Sequence, residues 1–145
     1  MSIKKPLVLD ANILIRASLG KKVPQLLEDL AEQVDFFTPA ICVAEAQNYI
    51  PGLLQRRGIE LPEHRKLDEI LLVINVIHEQ EYLFYEASAK QRIAQRDVDD
   101  WPVVATALLL DCPIWTEDND FFGTGIASWT TDRVHLYVEM QDKES

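Results

Sequence analysis

Four carboxylates stand at positions where an acid is costly. Asp10 is the only charge between Lys5 and Arg16, and it closes the apolar run Pro6-Leu7-Val8-Leu9. Glu45 is the only charge between Asp35 and Arg56, inside Ala40-Ile41-Cys42-Val43-Ala44-Glu45-Ala46. With Ile41 four residues before it and Tyr49 four after, it shares one helical face with both. A glutamate buried on an apolar face destabilises the fold unless it is paired or bound to metal. A buried salt bridge is the alternative, but no lysine or arginine is close in sequence. Asp97, Asp99 and Asp100 precede Trp101-Pro102, and three aspartates within four positions exceed what one helix start needs. Asp100 is the nearest of them to the helix. Asp118 and Asp120 follow the apolar run Pro113-Ile114-Trp115-Thr116. Capping accounts for Asp10 or Asn12 alone, and an Asp-rich turn for Asp120 alone. Together, Asp10 and Asp118 leave two strand ends while Glu45 and Asp100 lie on flanking helices. Carboxylates converging on one crevice repel, and without cations they hold protons at raised pKa values. Oxygen ligands without histidine or thiolate suit Mg²⁺ or Mn²⁺ rather than zinc. Cations held that way activate water and stabilise the leaving oxygen in phosphodiester hydrolysis.

These acids need elements to position them. Pro6-Leu7-Val8-Leu9 reads as a short buried parallel strand, followed by a helix from near Ala11 to a C-cap at Gly20. Val23 to Ala31 reads as a helix with Val23, Leu26, Leu27 and Leu30 on one face. Phe36-Phe37 is a second short strand. Thr38-Pro39 predicts a helix start, with a capping hydroxyl and a first-turn proline. That helix runs to about Tyr49, before Pro51-Gly52 ends it. Further helices are expected over Pro62 to Leu72 and Glu79 to Gln95, with Val73 to Ile77 either a strand or a helix end. Another helix begins at Asp99-Asp100-Trp101-Pro102 and continues to about Leu110. Strands follow at Pro113 to Thr116 and Ala127 to Thr130. Strands alternating with helices predict an α/β fold of three α/β/α layers around a mostly parallel sheet. Ligands bind such sheets at the carboxyl ends of their strands, where Asp10 and Asp118 fall.

Composition narrows the function classes. A chain of 145 residues, 48% hydrophobic, fits one domain over residues 1–145 whose core needs neither disulfides nor structural metal. No segment approaches the roughly 20 apolar residues of a membrane span, and Met1 to Pro6 lacks a signal-peptide pattern. A cytoplasmic protein is therefore expected, with Cys42 and Cys112 as buried free thiols. The net charge of -10 excludes nucleic-acid binding by bulk charge alone, so a nuclease of this composition must cancel its own field with cations. Arg16, Arg56, Arg57, Arg92, Arg96 and Arg133 are candidates for phosphate contacts. His64, His78 and His135 have no ligand spacing and read as structural or surface residues. Trp101, Trp115 and Trp129 read as core or interface residues rather than base-stacking platforms.

From Leu7 to about Val134 the sequence resembles the PIN-domain family, which includes the VapC-like ribonuclease toxins of toxin–antitoxin pairs. The resemblance is carried by Leu9-Asp10-Ala11-Asn12 and by Thr38-Pro39 through Ala44-Glu45. Its most specific block runs from Arg96-Asp97-Val98-Asp99-Asp100-Trp101-Pro102 through Ala105-Thr106-Ala107-Leu108 to Trp115-Thr116-Glu117-Asp118-Asn119-Asp120-Phe121. The resemblance implies a PIN-like fold, an Mg²⁺- or Mn²⁺-dependent endoribonuclease acting on RNA, and a homodimer. It also implies Asp10, Glu45, Asp100 and Asp118 as catalytic metal ligands, with Asn12, Thr116, Asp99 and Asp120 in support. An antitoxin protein is the implied partner, and its inhibitory element would carry an Arg or a helix to match the acidic crevice. One departure is Asp111, where related sequences commonly carry glycine at the helix end.

Two other readings compete. An aspartate-dependent phosphatase of the haloacid-dehalogenase type also places an Asp after its first strand. It needs a second Asp where this chain has Asn12, and a Lys before the last acidic pair, whereas no lysine lies between Lys90 and Lys143. A non-catalytic PIN-fold binding module would keep the fold without needing an intact set of acids.

Overall fold

In the computed structural model, which describes residues 3–58 and 65–141, a sheet of five parallel strands in the order β3-β2-β1-β4-β5 organises the chain. The central strand β1 (Lys5–Leu9) buries Leu7, Val8 and Leu9 completely. It pairs with β2 (Val34–Pro39) on one side and β4 (Ile114–Trp115) on the other, with Leu9 opposite Trp115. Where a strand is paired at both edges and covered on both faces it has to be apolar, so Leu7 to Leu9 show a run and no alternation. β3 (Ile74–Ile77) and β5 (Ser128–Trp129) form the two edges.

The connections wrap this sheet in two helical layers. α1 (Ala11–Leu19), α2 (Lys22–Leu30), α3 (Ala40–Arg56) and α4 (Arg65–Leu71) pack together in one layer. α5 (Glu79–Tyr82), α6 (Glu86–Ile93) and α7 (Trp101–Leu110) form the other. α8 (His135–Gln141) follows the last strand and packs on α2. The chain first builds outward from β1 to β3, then returns past β1 to β4 and β5. The order therefore reverses between β1 and β4, and in such sheets the crevice opens at the carboxyl ends of the two strands that flank the reversal. α1, α3 and α7 all begin at that edge, so three positive helix ends face it.

Several expectations change on folding. The Thr38 hydroxyl caps no helix: Thr38 and Pro39 extend β2 against Val76 and Ile77, and the hydroxyl donates to the Leu9 carbonyl at 2.8 Å. α3 passes through Pro51 to Arg56 because Pro51 and Gln47 are both exposed. The carbonyl that a Pro51 N–H would have met is left to water, while Cys42, Ala46, Ile50 and Leu54 keep one buried stripe. The segment Val73 to Ile77 resolves to the strand β3. The long helix over Glu79 to Gln95 is broken at Leu83–Tyr85, where a run of bulky, mostly aromatic residues of low helix propensity tightens to a 3₁₀ turn. The start expected at Pro62, and His64, lie outside the described residues. α8 was not foreseen. Gly20 ends α1 with extended backbone rather than a left-handed cap, and an added Cβ would sit 3.0 Å from the Arg16 carbonyl oxygen. Asp111 does take the left-handed conformation (φ 51°) where glycine is usual, and its N–H meets the last carbonyls of α7. Cys42 and Cys112 are buried free thiols, Trp115 is fully buried, and His78 and His135 are exposed.

Candidate functional site

Asp10 leaves the end of β1 and is only 6% exposed. One carboxylate oxygen accepts the Ile13 N–H at 3.0 Å, so the residue caps α1. The other accepts the Thr116 hydroxyl at the end of β4. Capping and site roles thus coincide in one side chain. The Thr116 oxygen in turn accepts the Asp118 N–H at 2.9 Å, and an Asp118 carboxylate oxygen accepts the Asp120 N–H at 2.9 Å. A relay of hydrogen bonds therefore ties the first strand end to the acidic loop after β4. Burial pushes the Asp10 carboxyl up to about 6 against these hydrogen bonds, and the Asp118 and Glu117 charges add to the rise.

Asp100 ends the 3₁₀ turn Val98–Asp100 at the head of α7 and is half-buried. Burial first, then the charges of Asp97, Asp118, Asp10 and Asp120, raise its carboxyl to about 7. Asp97 caps the same turn, accepting the Asp99 N–H at 3.1 Å. A 3₁₀ turn superposes residues three apart, which puts Asp97 and Asp100 side by side. One carboxylate oxygen each from Asp97, Asp100 and Asp120 lie within 4.8 Å of one another. Asp97 is absent from the ligands and supporting residues that the sequence implies, and its spacing of three from Asp100 is the signal that marks it. Asp120 joins this trio, its carboxyl raised by desolvation and then by Asp118 and Asp97, with Arg96 opposing.

Glu45 corrects one premise. It is exposed, and Ile41 and Tyr49 beside it are 45% and 49% exposed. The apolar face that carries it lines an open crevice instead of the core, so no buried ion pair is required. Its carboxyl is still raised, by desolvation and then by Asp97 and Asp99. The crevice, of about 770 Å³, brings Asp10, Glu45, Asp99, Asp100 and Asp118 together. Asn12 also lines it, but its side-chain oxygen accepts from Arg16 Nε at 2.9 Å, away from the acids.

The donor set is uniformly carboxylate. The Cys42 thiol lies next to it but is pushed well up by burial and by the charges of Asp10 and Glu45, so it stays protonated and ligates poorly. Neighbouring carboxylates that raise one another's pKa values are relieved by a hard divalent cation, and the residues present fit Mg²⁺ or Mn²⁺.

A parallel sheet with an acid at each strand end flanking its point of reversal defines an α/β domain with an acidic crevice. Residues 8–139 match the family model of the PIN domain, and the chain belongs to that family. VapBC2 from Rickettsia felis, solved bound to a DNA fragment from their promoter, is structurally similar at 18% identity and a TM-score of 0.68, covering 86% of this chain and 98% of that one. A toxin–antitoxin complex from Klebsiella pneumoniae aligns at 20% identity and a TM-score of 0.64, over 88% of this chain and 99% of that one. FitAcB from Neisseria gonorrhoeae aligns at 22% identity and a TM-score of 0.60, over 86% and 97%. These likenesses show the fold. No curated protein matches the chain by sequence. No helix among the described residues is long and apolar enough to cross a membrane.

Proposed function

We propose that this PIN domain is an Mg²⁺- or Mn²⁺-dependent endoribonuclease, acting in the cytoplasm as the toxin of a toxin–antitoxin pair. The observation that carries the reading is the convergence of Asp10, Glu45, Asp100 and Asp118 on one crevice, with three of the four carboxyls raised by burial and mutual repulsion. In this reading those four residues hold the cation. Thr116 orients Asp10, and Asp99 and Asp120 add negative charge that draws cations in. When bound, the cation would supply Lewis acidity to the phosphodiester and to the attacking water. Asp10 is fixed at both oxygens, so it keeps one orientation, whereas exposed Glu45 is free to adjust to a substrate. Asn12 would reach the RNA through Arg16. An antitoxin would cover the crevice with a basic element, consistent with the net charge of -10 and with the likeness to a toxin–antitoxin complex from Klebsiella pneumoniae. In a homodimer, Leu83 and Phe84, exposed outside the crevice, are surface that a second copy would bury.

The test is cleavage of a mixed single-stranded RNA pool with Mg²⁺, Mn²⁺ or EDTA, comparing wild type with Asp10→Asn and Glu45→Gln. Cleavage that needs metal and is lost in both variants is the expected result. Cleavage that survives both substitutions would overturn the site, and an inactive wild type would favour the binding-module reading. Hydrolysis of a simple phosphomonoester in place of RNA would favour the phosphatase.

A further inference from the structure

The crevice has a second end of opposite character. Arg16 on α1, Lys21 and Lys22 at the start of α2 and Arg57 after α3 line it beyond the acids. Between the acids and the basic end, Ile15 on α1 and Tyr49 and Leu53 on α3 form an apolar waist. We infer that this basic end is a separate subsite for backbone phosphates of a single-stranded RNA whose scissile phosphate lies at the acids. The inference rests on the nuclease reading for the occupant of the acidic end, but its own residues are distinct.

Local helix chemistry accounts for only some of these cations. Arg16 lies in the last turn of α1 and Arg57 caps α3, where a positive charge complements the helix dipole. The two lysines do the reverse. Lys21 is the N-cap of α2 and Lys22 its first residue, with no side-chain cap and no acid in the first turn. Cations at a positive helix end, beside unsatisfied backbone N–H groups, are locally unfavourable and are offset when an anion binds there. Pairing within the chain relieves little of this charge. Lys22 bridges to Asp132, and Arg16 uses its Nε on Asn12. Lys21, Arg16 and Arg57 meet no carboxylate in an ion pair among the described residues, in a chain with 24 acids and 14 lysines and arginines.

The spacing suits a polymer rather than a small anion. α1 and α3 both start at the acidic edge and run side by side away from it. At ~1.5 Å per residue, Arg16 lies about 9 Å along α1 from Asp10, and Arg57 about 18 Å along α3 from Glu45. A group bound there is not the scissile phosphate but one further along the strand. The half-exposed Tyr49 ring, with the Arg56 guanidinium 5.8 Å from its centroid on one side, has its other face for the intervening base.

The experiment measures binding of a labelled 12-nucleotide single-stranded RNA in Mg²⁺ across a salt series, at low temperature with intactness checked on a gel. Each lost phosphate contact lowers the slope of log affinity against log salt by about 0.7 for a single strand. Lys21→Gln with Arg57→Gln is expected to flatten the slope by about 1.4 and to weaken binding on the order of tenfold near physiological salt. Lys4→Gln, a cation outside the crevice, should leave the slope unchanged, and matching melting curves check that exposed substitutions leave the fold intact. Parallel behaviour with single-stranded DNA would support phosphate recognition without sugar discrimination. A slope and affinity equal to wild type, or a wild type that binds no polynucleotide, would overturn the subsite. If wild type cleaves while the double variant binds unchanged, the subsite fails and the nuclease stands. If wild type binds without cleaving and the double variant loses binding, the subsite stands and the nuclease reading fails.

Discussion

Asp10 and Glu45 bring the same charge to the same crevice and are held in opposite ways. Asp10 is buried, fixed at both oxygens and bound into a relay that reaches the far side of the sheet reversal. Glu45 projects from an exposed helical face, and its carboxyl is raised by desolvation and then by Asp97 and Asp99. A preorganised ligand loses little freedom when a cation binds, while an adjustable one can follow the substrate. The difference teaches that burial does not mark out the acids of this crevice. What the two share is the crevice.

The largest expected effect breaks the rigid side of this pair. Asp10→Asn should lower metal-dependent cleavage by on the order of 10³-fold at any metal concentration, because no other group can move into its place. Glu45→Gln should lose about 10²-fold, part of it recovered by raising Mg²⁺, since exposed neighbours can share its role. Titration of cleavage rate against metal for both variants checks this, and equal, unrecoverable losses would remove the distinction.

The second effect is on stability. A carboxyl raised in the folded protein holds a proton that the unfolded chain has already released, so the folded form binds more protons across that interval. For metal-free protein, Asp10 at about 6 and Asp100 at about 7 therefore lower stability as pH rises from about 4 to 7. Asp10 alone contributes on the order of 3 kcal/mol to that loss. Thermal melts in EDTA should show Tm falling over this range, with Mg²⁺ restoring it at pH 8 more than at pH 5. A Tm that rises through the same range would overturn the assignment.

Smaller effects sharpen the comparison. Thr116→Val removes the hydroxyl between Asp10 and Asp118 and should cost about 10–100-fold in metal affinity, as loss of an orienting partner does. The same variant should move the Asp10 pH transition upward, because burial, the main cause of its rise, remains while the Thr116 hydrogen bond that held it down is lost. Asp97→Asn, at the exposed rim of its trio, should weaken metal binding by less than about tenfold. Calorimetric titration with Mn²⁺ separates the two, and a larger loss from Asp97→Asn would move the centre of the site to the rim.

Strand ends were the most legible part of the chain. β1 and β4 are buried on both faces, so one charge after an apolar run marks the edge of the sheet, and Asp10 and Asp118 followed directly. Glu45 was found for its isolation in an apolar segment, although the segment proved to line a crevice. A sequence pattern cannot distinguish an apolar face turned to the core from one turned to a groove. Asp97 was set aside because periodicity arguments assume α-helix or strand, whereas a three-residue turn sets its geometry. Pro51 read as a stop because its consequence depends on which side of α3 faces water. The basic end was half legible. Arg16 and Arg57 stood among six candidate arginines, of which Arg92 instead binds the Thr124 carbonyl at 2.7 Å and Arg96 lies near Asp120. Lys21 and Lys22 precede the apolar stripe that begins at Val23, and folding starts α2 between them.

At the opposite edge of the sheet, Lys5 Nζ donates to the Tyr137 carbonyl at 2.7 Å and stacks 4.0 Å over its ring, while the Tyr137 hydroxyl donates to the Pro6 carbonyl at 2.7 Å. This clasp joins the first strand to the last helix, about 16 Å down β1 from Asp10 at ~3.3 Å per residue. The two ends of the described fold are therefore neighbours on the face remote from the acids. A fluorophore or surface tether attached there would leave the crevice unobstructed, and a short peptide bridging them would suit a circular permutant with new termini elsewhere.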